Sequence, residues 1–259
     1  MEKMTSQNAV AMRKKADRKK MGMKARENIY QAILWILLIV LALTMILPFL
    51  YVVILSFTDS TAYQAGKLIL WPEKWSTEAY QLILSGDGFL NALKSTLFIT
   101  VIGTPLSVII NAGLAYMLSK PIPGKGFFNK YVMFTMLFSA GMVPNFMNIK
   151  QLGLIDNYFA MILPSLCGAW TIMVMSSFFQ SLPVDLEEAA KIDGCGPLRI
   201  FAQIVIPLSK PMLATMTLFA FVSYWNMYFN CVMYITSTAK QTLQVYVQKV
   251  VLSSTVSDV

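Results

Sequence analysis

The chain has 259 residues, of which 56% are apolar and 13% charged, against about 45–50% and about 25% in an ordinary soluble domain. With a mean hydropathy of +0.59, a single soluble domain and a disordered chain are both excluded as starting points, and a membrane protein with lipid-facing surface takes their place. The net charge of +8 does not indicate nucleic acid, because nine of the 21 basic residues precede Asn28 and form an arm rather than a binding face.

That arm, residues 1–28, reads as a basic cytoplasmic segment expected to be disordered, with contact to anionic lipid as the weaker alternative. Residues 29–259 read as the transmembrane domain. Five stretches lack Asp, Glu, Lys and Arg: 28–58, 95–119, 131–149, 157–184 and 211–239. Each holds at least 19 residues, and a span needs about 20 mostly apolar ones. A charge at a helix centre costs about 2.5–3.5 kcal/mol on insertion scales, so the spacing meets a physical requirement five times. The predicted fold class is all-α, a polytopic membrane helix bundle with five spans.

The first stretch is too long for a cleavable signal peptide and has no A-x-A site after it, so it reads as a signal anchor. Gly103, Pro105 and Gly113 interrupt the second stretch, and Pro164 and Gly168 the fourth. Close helix packing is the preferred reading for them, with helices bent around a passage as the alternative. Between the first two stretches, Tyr63, Trp71, Trp75 and Tyr80 suggest an interfacial belt, or a platform for an external partner.

Basic residues orient the bundle. With the N-terminus in the cytoplasm, segments 1–27, 120–130 and 185–210 lie inside and hold 15 Lys and Arg, while 59–94, 150–156 and 240–259 lie outside and hold six. The opposite orientation would put the nine-charge arm outside.

No histidine is present, and Cys167, Cys195 and Cys231 form no C-x-x-C pair. A zinc site or a disulfide framework is poorly supported, and the cysteines read as small residues in packed helices. There is no P-loop and no nucleophile elbow. The chain is not expected to be an enzyme, to hold a metal or cofactor, or to bind nucleic acid.

The informative segment is 181–210, inside by the charge count. It reads as two short helices. Pro183 suits a first helical position, Asp185, Glu187 and Glu188 favour a helix N-terminus, and Glu187 and Lys191 are i,i+4 partners. Gly194 and Gly196 end the first helix, since glycine accepts the left-handed C′ conformation, and Pro197 starts the second. Ile200, Phe201, Ile204 and Val205 form its apolar face, and Pro207 and Pro211 stop it.

The run Glu188-Ala189-Ala190, three residues, Gly194, nine residues, Ile204, one residue, Ile206-Pro207 resembles the EAA signature of binding-protein-dependent ABC importer permeases. Ile206 stands where the family has Leu. Asp193 before Gly194 and Pro207-Leu-Ser-Lys-Pro211 after it resemble the second permease subunit of the maltose type. Gly141-Met-Val-Pro144, Gln151-Leu-Gly-Leu154 and Trp225-Asn226 extend the likeness to the complex-saccharide branch, from about Ile29 to the C-terminus.

The resemblance implies a type I ABC importer permease in a bacterial cytoplasmic membrane, forming half of the pathway for a carbohydrate, expected to be an oligosaccharide. Implied partners are a homologous second permease, two ATP-binding cassette ATPases that carry the ATP and Mg, and an extracellular solute-binding protein. Glu188 would contact the ATPase, Ala189 and Ala190 permit close approach, and Gly194 set the angle between the helices. Asp193, Ile204 and Pro207 complete this coupling set. Trp225 and Asn226 are candidate sugar contacts, with helix-to-helix hydrogen bonding as the commoner job of an intramembrane Asn.

One departure stands out. The family has six spans with both ends cytoplasmic, and residues 236–259 contain no sixth by composition. Five spans leave the C-terminus outside, and the family's final helix and tail would need roughly 30–40 further residues, about 20 of them for the span. Two rivals stay open: a secondary transporter, disfavoured because no ionisable residue lies within a predicted span, and a non-transporting membrane scaffold.

Overall fold

The computed structural model describes residues 2–59, 71–72 and 74–257, with side chains from 27 to 252 within those limits except at 82. Among the described residues the chain is helical, with a single isolated β-bridge between Thr58 and Trp75. It forms two compact units, residues 1–83 and 84–259.

In the first unit, helix α1 runs from Glu2 to Ser56. The basic arm is therefore not a separate irregular segment. It is rich in Ala, Met, Lys, Arg, Gln and Glu, all strong helix formers, with Gly22 its one weak point before the apolar run. The 30 residues Glu27–Ser56 are long and apolar enough to cross a membrane. Beyond α1, Phe57 meets Trp75 and Tyr80 at ring-centroid distances of 6.1 and 5.2 Å, Trp71 meets Trp75 edge-on at 5.6 Å, and the Tyr80 hydroxyl shares a 2.7 Å hydrogen bond with Ser56. Trp71 and Trp75 remain exposed, as an interfacial aromatic pair requires. Tyr63 lies outside the described residues.

Helix α2, Glu78–Ser85, falls at the division between the units. The second unit is organised around α3, Asp87–Ser119, the other helix that spans by length and composition alone. Three further spans appear only if bent pairs are counted as one each. Helices α4, Lys125–Leu137, and α5, Met142–Gln151, meet at 111°. Helix α6, Tyr158–Ile162, continues as a 3₁₀ turn to Ser165 and meets α7, Ala169–Gln180, at 46°. Two short helices follow, α8, Val184–Ile192, and α9, Pro197–Ile200. A π-helical turn, Phe201–Val205, leads into α10, Ile206–Leu208, and the stretch Pro197–Leu208 meets α11, Lys210–Trp225, at 85°. Helices α12, Phe229–Tyr234, and α13, Leu243–Ser257, complete the fold.

The predicted third and fifth spans thus need correction. The third breaks at Gly141, whose φ of +86° suits glycine and whose N–H donates to Ser139 Oγ. Pro144 follows in the first turn of α5, where a missing N–H leaves no helical bond unmade. The fifth ends at Trp225 and resumes as α12. Residues 236–259 contribute α13, a 15-residue helix whose apolar part, Leu243–Leu252, is shorter than a span. It packs on α3, where the Leu243 N–H donates to Thr96 Oγ1 at 2.8 Å.

Two apolar cores lie along α3. One holds Ala112, Ala115 and Leu118 with Met175, Phe179 and Val205; the other holds Ile99 with Met161, Tyr224, Cys231 and Val245. Cys231 and the half-buried Cys195 fit the packing role, whereas Cys167 is exposed. Gly103 is a packing glycine: a Cβ there would lie 2.7 Å from the ring of buried Tyr224. Gly113 has open space instead, so the packing reading fails for it. Overpacking costs about 1–3 kcal/mol, so Gly103→Val is expected to lower the monodisperse yield of solubilised protein. Adding Tyr224→Leu is expected to restore it; no recovery would remove the contact as the cause.

Candidate functional site: the two-helix loop and its attachments

Helix α8 begins after Pro183, which is its N-cap rather than its first helical residue. It ends in a Schellman cap. Gly194 sits at φ +79°, its N–H donates to the Lys191 carbonyl, and the Cys195 N–H donates to the Ala190 carbonyl. Gly196 is different: at φ −72° it is an ordinary N-cap for α9. Gln151-Leu-Gly-Leu154 repeats the device, with Gly153 at φ +67° and the Leu154 N–H on the Ile149 carbonyl. Pro207 cannot donate to the helix ladder. Just before it the Ile206 N–H reaches back to Phe201, the π-type bond.

Within this loop Glu188, Ala189, Asp193, Gly194 and Pro207 are exposed, Ala190 is buried and Ile204 is half-buried. Ile192 and Leu198 project at the tip, 86% and 83% exposed, beside the acidic Glu188 and Asp193. Ile200 and Val205 are buried, with Phe201 and Ile204 packed against the same core. The loop thus has one face anchored to the bundle and one face free within this chain.

The i,i+4 pairing of Glu187 with Lys191 is not observed. Glu187 is 7% exposed and pairs with Lys120, which caps the end of α3. Lys191 is exposed. An exposed i,i+4 pair contributes only about 0.2–0.5 kcal/mol, so a buried carboxylate takes the partner that burial brings to it. The Lys120 ammonium also lies 4.7 Å from the centre of the Tyr116 ring, a cation–π contact.

In the C-terminal third of α3, Asn111 is 2% exposed. Its amide NH₂ donates to the Leu166 carbonyl at 2.7 Å and to Ser107, and its Oδ1 accepts from the Gly168 N–H at 3.0 Å. Those are the groups freed where α6 and α7 break, so one side chain satisfies both sides of the gap. Beside it lies a cavity of about 290 Å³, lined by Ser107, Asn111, Trp170, Phe219, Ser223 and Tyr224 among others. Trp225 and Asn226 are not in that lining. Trp225 is half-buried and stacks on Phe221 at 6.0 Å, and Asn226 is exposed at the end of α11.

At the opposite end, Asp156 takes φ +60° and ties two loops together. It accepts from the Ser237 hydroxyl and N–H and the Thr236 N–H, and pairs with Lys240 at 2.9 Å. These bonds, the Ser237 hydroxyl foremost, hold its carboxyl far below the usual carboxylate range. A depressed folded value means stability that is complete above the unfolded value near 4 and lost as pH falls through the lower folded one. Asp156→Asn is expected to lower the melting temperature of the solubilised protein equally at pH 7 and pH 5. A deficit that shrinks between those values would contradict this assignment.

Among the described residues no group of three or more Cys, Asp or Glu side chains is placed to hold a metal.

Bent spans packed on the unbroken α3, with a two-helix loop at one end, are the arrangement of a membrane transport permease, as comparison with known proteins shows. Residues 84–244 match the binding-protein-dependent transport system inner membrane component family, and the chain belongs to it. It is 40% identical over 230 residues to the polygalacturonan/rhamnogalacturonan transport system permease YtcP of Bacillus subtilis, covering 88% of this chain and 80% of that protein. It is 34% identical over 209 residues to the trehalose transport system permease SugB of Mycobacterium tuberculosis, covering 79% and 74%. The fold matches a chain of a bacterial ABC transporter involved in import of the acidic polysaccharide alginate, with TM-score 0.83, 37% identity and coverage of 87% and 81%. The resemblance to permease subunits of ABC-type carbohydrate importers, read from Glu188 to Pro207 and beyond, holds, and the type I importer permease fold with it.

Proposed function

We propose that this chain is one of two permeases in an ATP-driven oligosaccharide importer and that residues 181–210 dock a cytoplasmic ATPase. One observation carries the reading: a capped helix with an exposed acidic and apolar face stands on a buried base, in a chain of this family. Glu188 makes the polar contact, Ala189 permits close approach, Gly194 and Asp193 set the turn, and Ile204 and Pro207 hold the second arm. Ala190 faces the bundle and acts from there. ATP and Mg belong to the ATPases, and the permease gates as a rigid-body switch between inward- and outward-facing states.

The N-terminus is cytoplasmic in this reading. The ion pairs support its sidedness: Lys120–Glu187 joins two segments assigned inside, and Asp156–Lys240 two assigned outside. A second, homologous permease completes the passage, and a solute-binding protein delivers sugar from the outer face. Asn226 has no side-chain partner within the described residues, which favours a sugar contact, with Trp225 beside it, over bonding inside this chain. Loss of uptake in Asn226→Ala with normal assembly supports that role; normal uptake removes it.

The test of docking is co-purification. Expressed with its partner permease and ATPase, the wild-type chain retains the ATPase through purification, and Glu188→Lys loses it while still inserting in the membrane. Equal retention by both would rule out docking at Glu188.

A further inference from the structure

The last turn of α3 grips both arms of the two-helix loop. Lys120 pairs with Glu187 in the first turns of α8. One turn earlier, Tyr116 lies under the Lys120 ammonium and packs on Phe201 of the second arm at a centroid distance of 4.8 Å, and on Phe179 of α7 at 6.1 Å. From this knot α3 runs without a break for 33 residues, about 50 Å at 1.5 Å each, although Pro105 lies inside it.

Its other attachments are equally specific. Asn111, nearer the knot than the far end, holds the α6–α7 gap. Near the far end Ser95 shares a 2.9 Å hydrogen bond with the Tyr158 hydroxyl, and Thr96 receives the Leu243 N–H. Every other predicted span of this unit is bent. An unbroken helix fastened at both ends is the element able to carry displacement through the unit as one body.

We infer that the Lys120–Glu187 pair, seated on Tyr116, is the joint that passes movement of the two-helix loop into α3 and so to the opposite end of the bundle. The inference rests on the docking reading above. Lys120 and Glu187 are positioning residues: they face the bundle, and Glu187 is too buried to meet the ATPase that its neighbour Glu188 faces. The joint has to be ionic to be specific. Removing either charge leaves the other without its partner, whereas exchanging the two preserves the attraction.

The test uses the intact permease–ATPase complex in lipid vesicles. A fluorescent amino acid replaces Leu90, exposed in the first turns of α3, and its emission is followed on adding ATP with vanadate. The wild type is expected to respond. Lys120→Met and Glu187→Gln, each still retaining the ATPase, are expected to lose at least fivefold of that amplitude. The exchanged pair, Lys120→Glu with Glu187→Lys, is expected to recover at least half.

Full amplitude in the single variants overturns the joint, as does a silent wild type that holds its ATPase. Failure of the exchange to recover overturns it too, and so does loss of the ATPase from the single variants, which assigns the pair to docking. A wild-type complex that holds no ATPase removes the docking reading itself.

Discussion

Gly194→Pro is expected to abolish coupling, with ATP hydrolysis by the assembled complex losing at least tenfold of its stimulation by sugar-loaded binding protein while membrane insertion is unchanged. Proline fixes φ near −65°, and Gly194 needs +79°. Proline also removes the N–H that closes the turn on Lys191. The angle between α8 and α9 cannot survive both changes. Gly194→Ala separates strain from shape: nothing lies within 4 Å of its Cβ, so the cost is the left-handed conformation alone, about 1–2 kcal/mol, and partial coupling is expected. Gly196→Ala, with φ −72° and open space, is expected to match wild type. Equal activity for all three would remove the Gly194 cap from the mechanism.

Asn111→Leu is expected to destabilise the second unit strongly. It orphans the half-buried Gly168 N–H and leaves the Leu166 carbonyl with the Ser107 hydroxyl as its remaining partner. Interhelical side-chain bonds in membranes average only about 0.6 kcal/mol, because the separated helices find other partners. A helix gap has no such recourse, and each orphaned group costs about 1–3 kcal/mol. The larger figure applies, so roughly 1–3 kcal/mol follows from the Gly168 N–H. Solubilised Asn111→Leu should aggregate under conditions where wild type is monodisperse. Thr100→Val is the control: the Thr100 hydroxyl is buried with no partner, so its removal should be neutral or mildly stabilising by the same thermal-stability measurement. A stable Asn111→Leu would show that the gap does not depend on this amide.

What the sequence disclosed follows from locality. The two-helix loop was legible because its signals are local: Gly194 at the cap, Pro197 at the second start, and the spaced Ile200, Phe201, Ile204 and Val205. The helix breaks at Gly141 and after Trp225 were not, since freedom from charge reports apolar length and nothing about where a helix bends. The helical arm is not legible because composition for disorder and composition for helix overlap in Lys, Glu, Gln and Ala. Local spacing offers Glu187 its nearest partner, Lys191, whereas burial selects Lys120, 67 residues away. Asn111 could have been found by the argument applied to Asn226, that an amide in a charge-free stretch must find a partner. Asp156–Lys240 joins residues 84 apart and had no local sign.

The central claim is that sugar moves through this permease at the expense of ATP hydrolysed by a subunit docked at residues 181–210. The most direct measurement is uptake of labelled oligosaccharides, neutral and acidic, into vesicles containing this chain, its partner permease and ATPase, with the binding protein outside and ATP inside. The account predicts accumulation that requires ATP and the binding protein, persists when ion gradients are collapsed, and disappears with Gly194→Pro. Uptake that proceeds without ATP and follows an imposed ion gradient would contradict it and make the chain a secondary transporter.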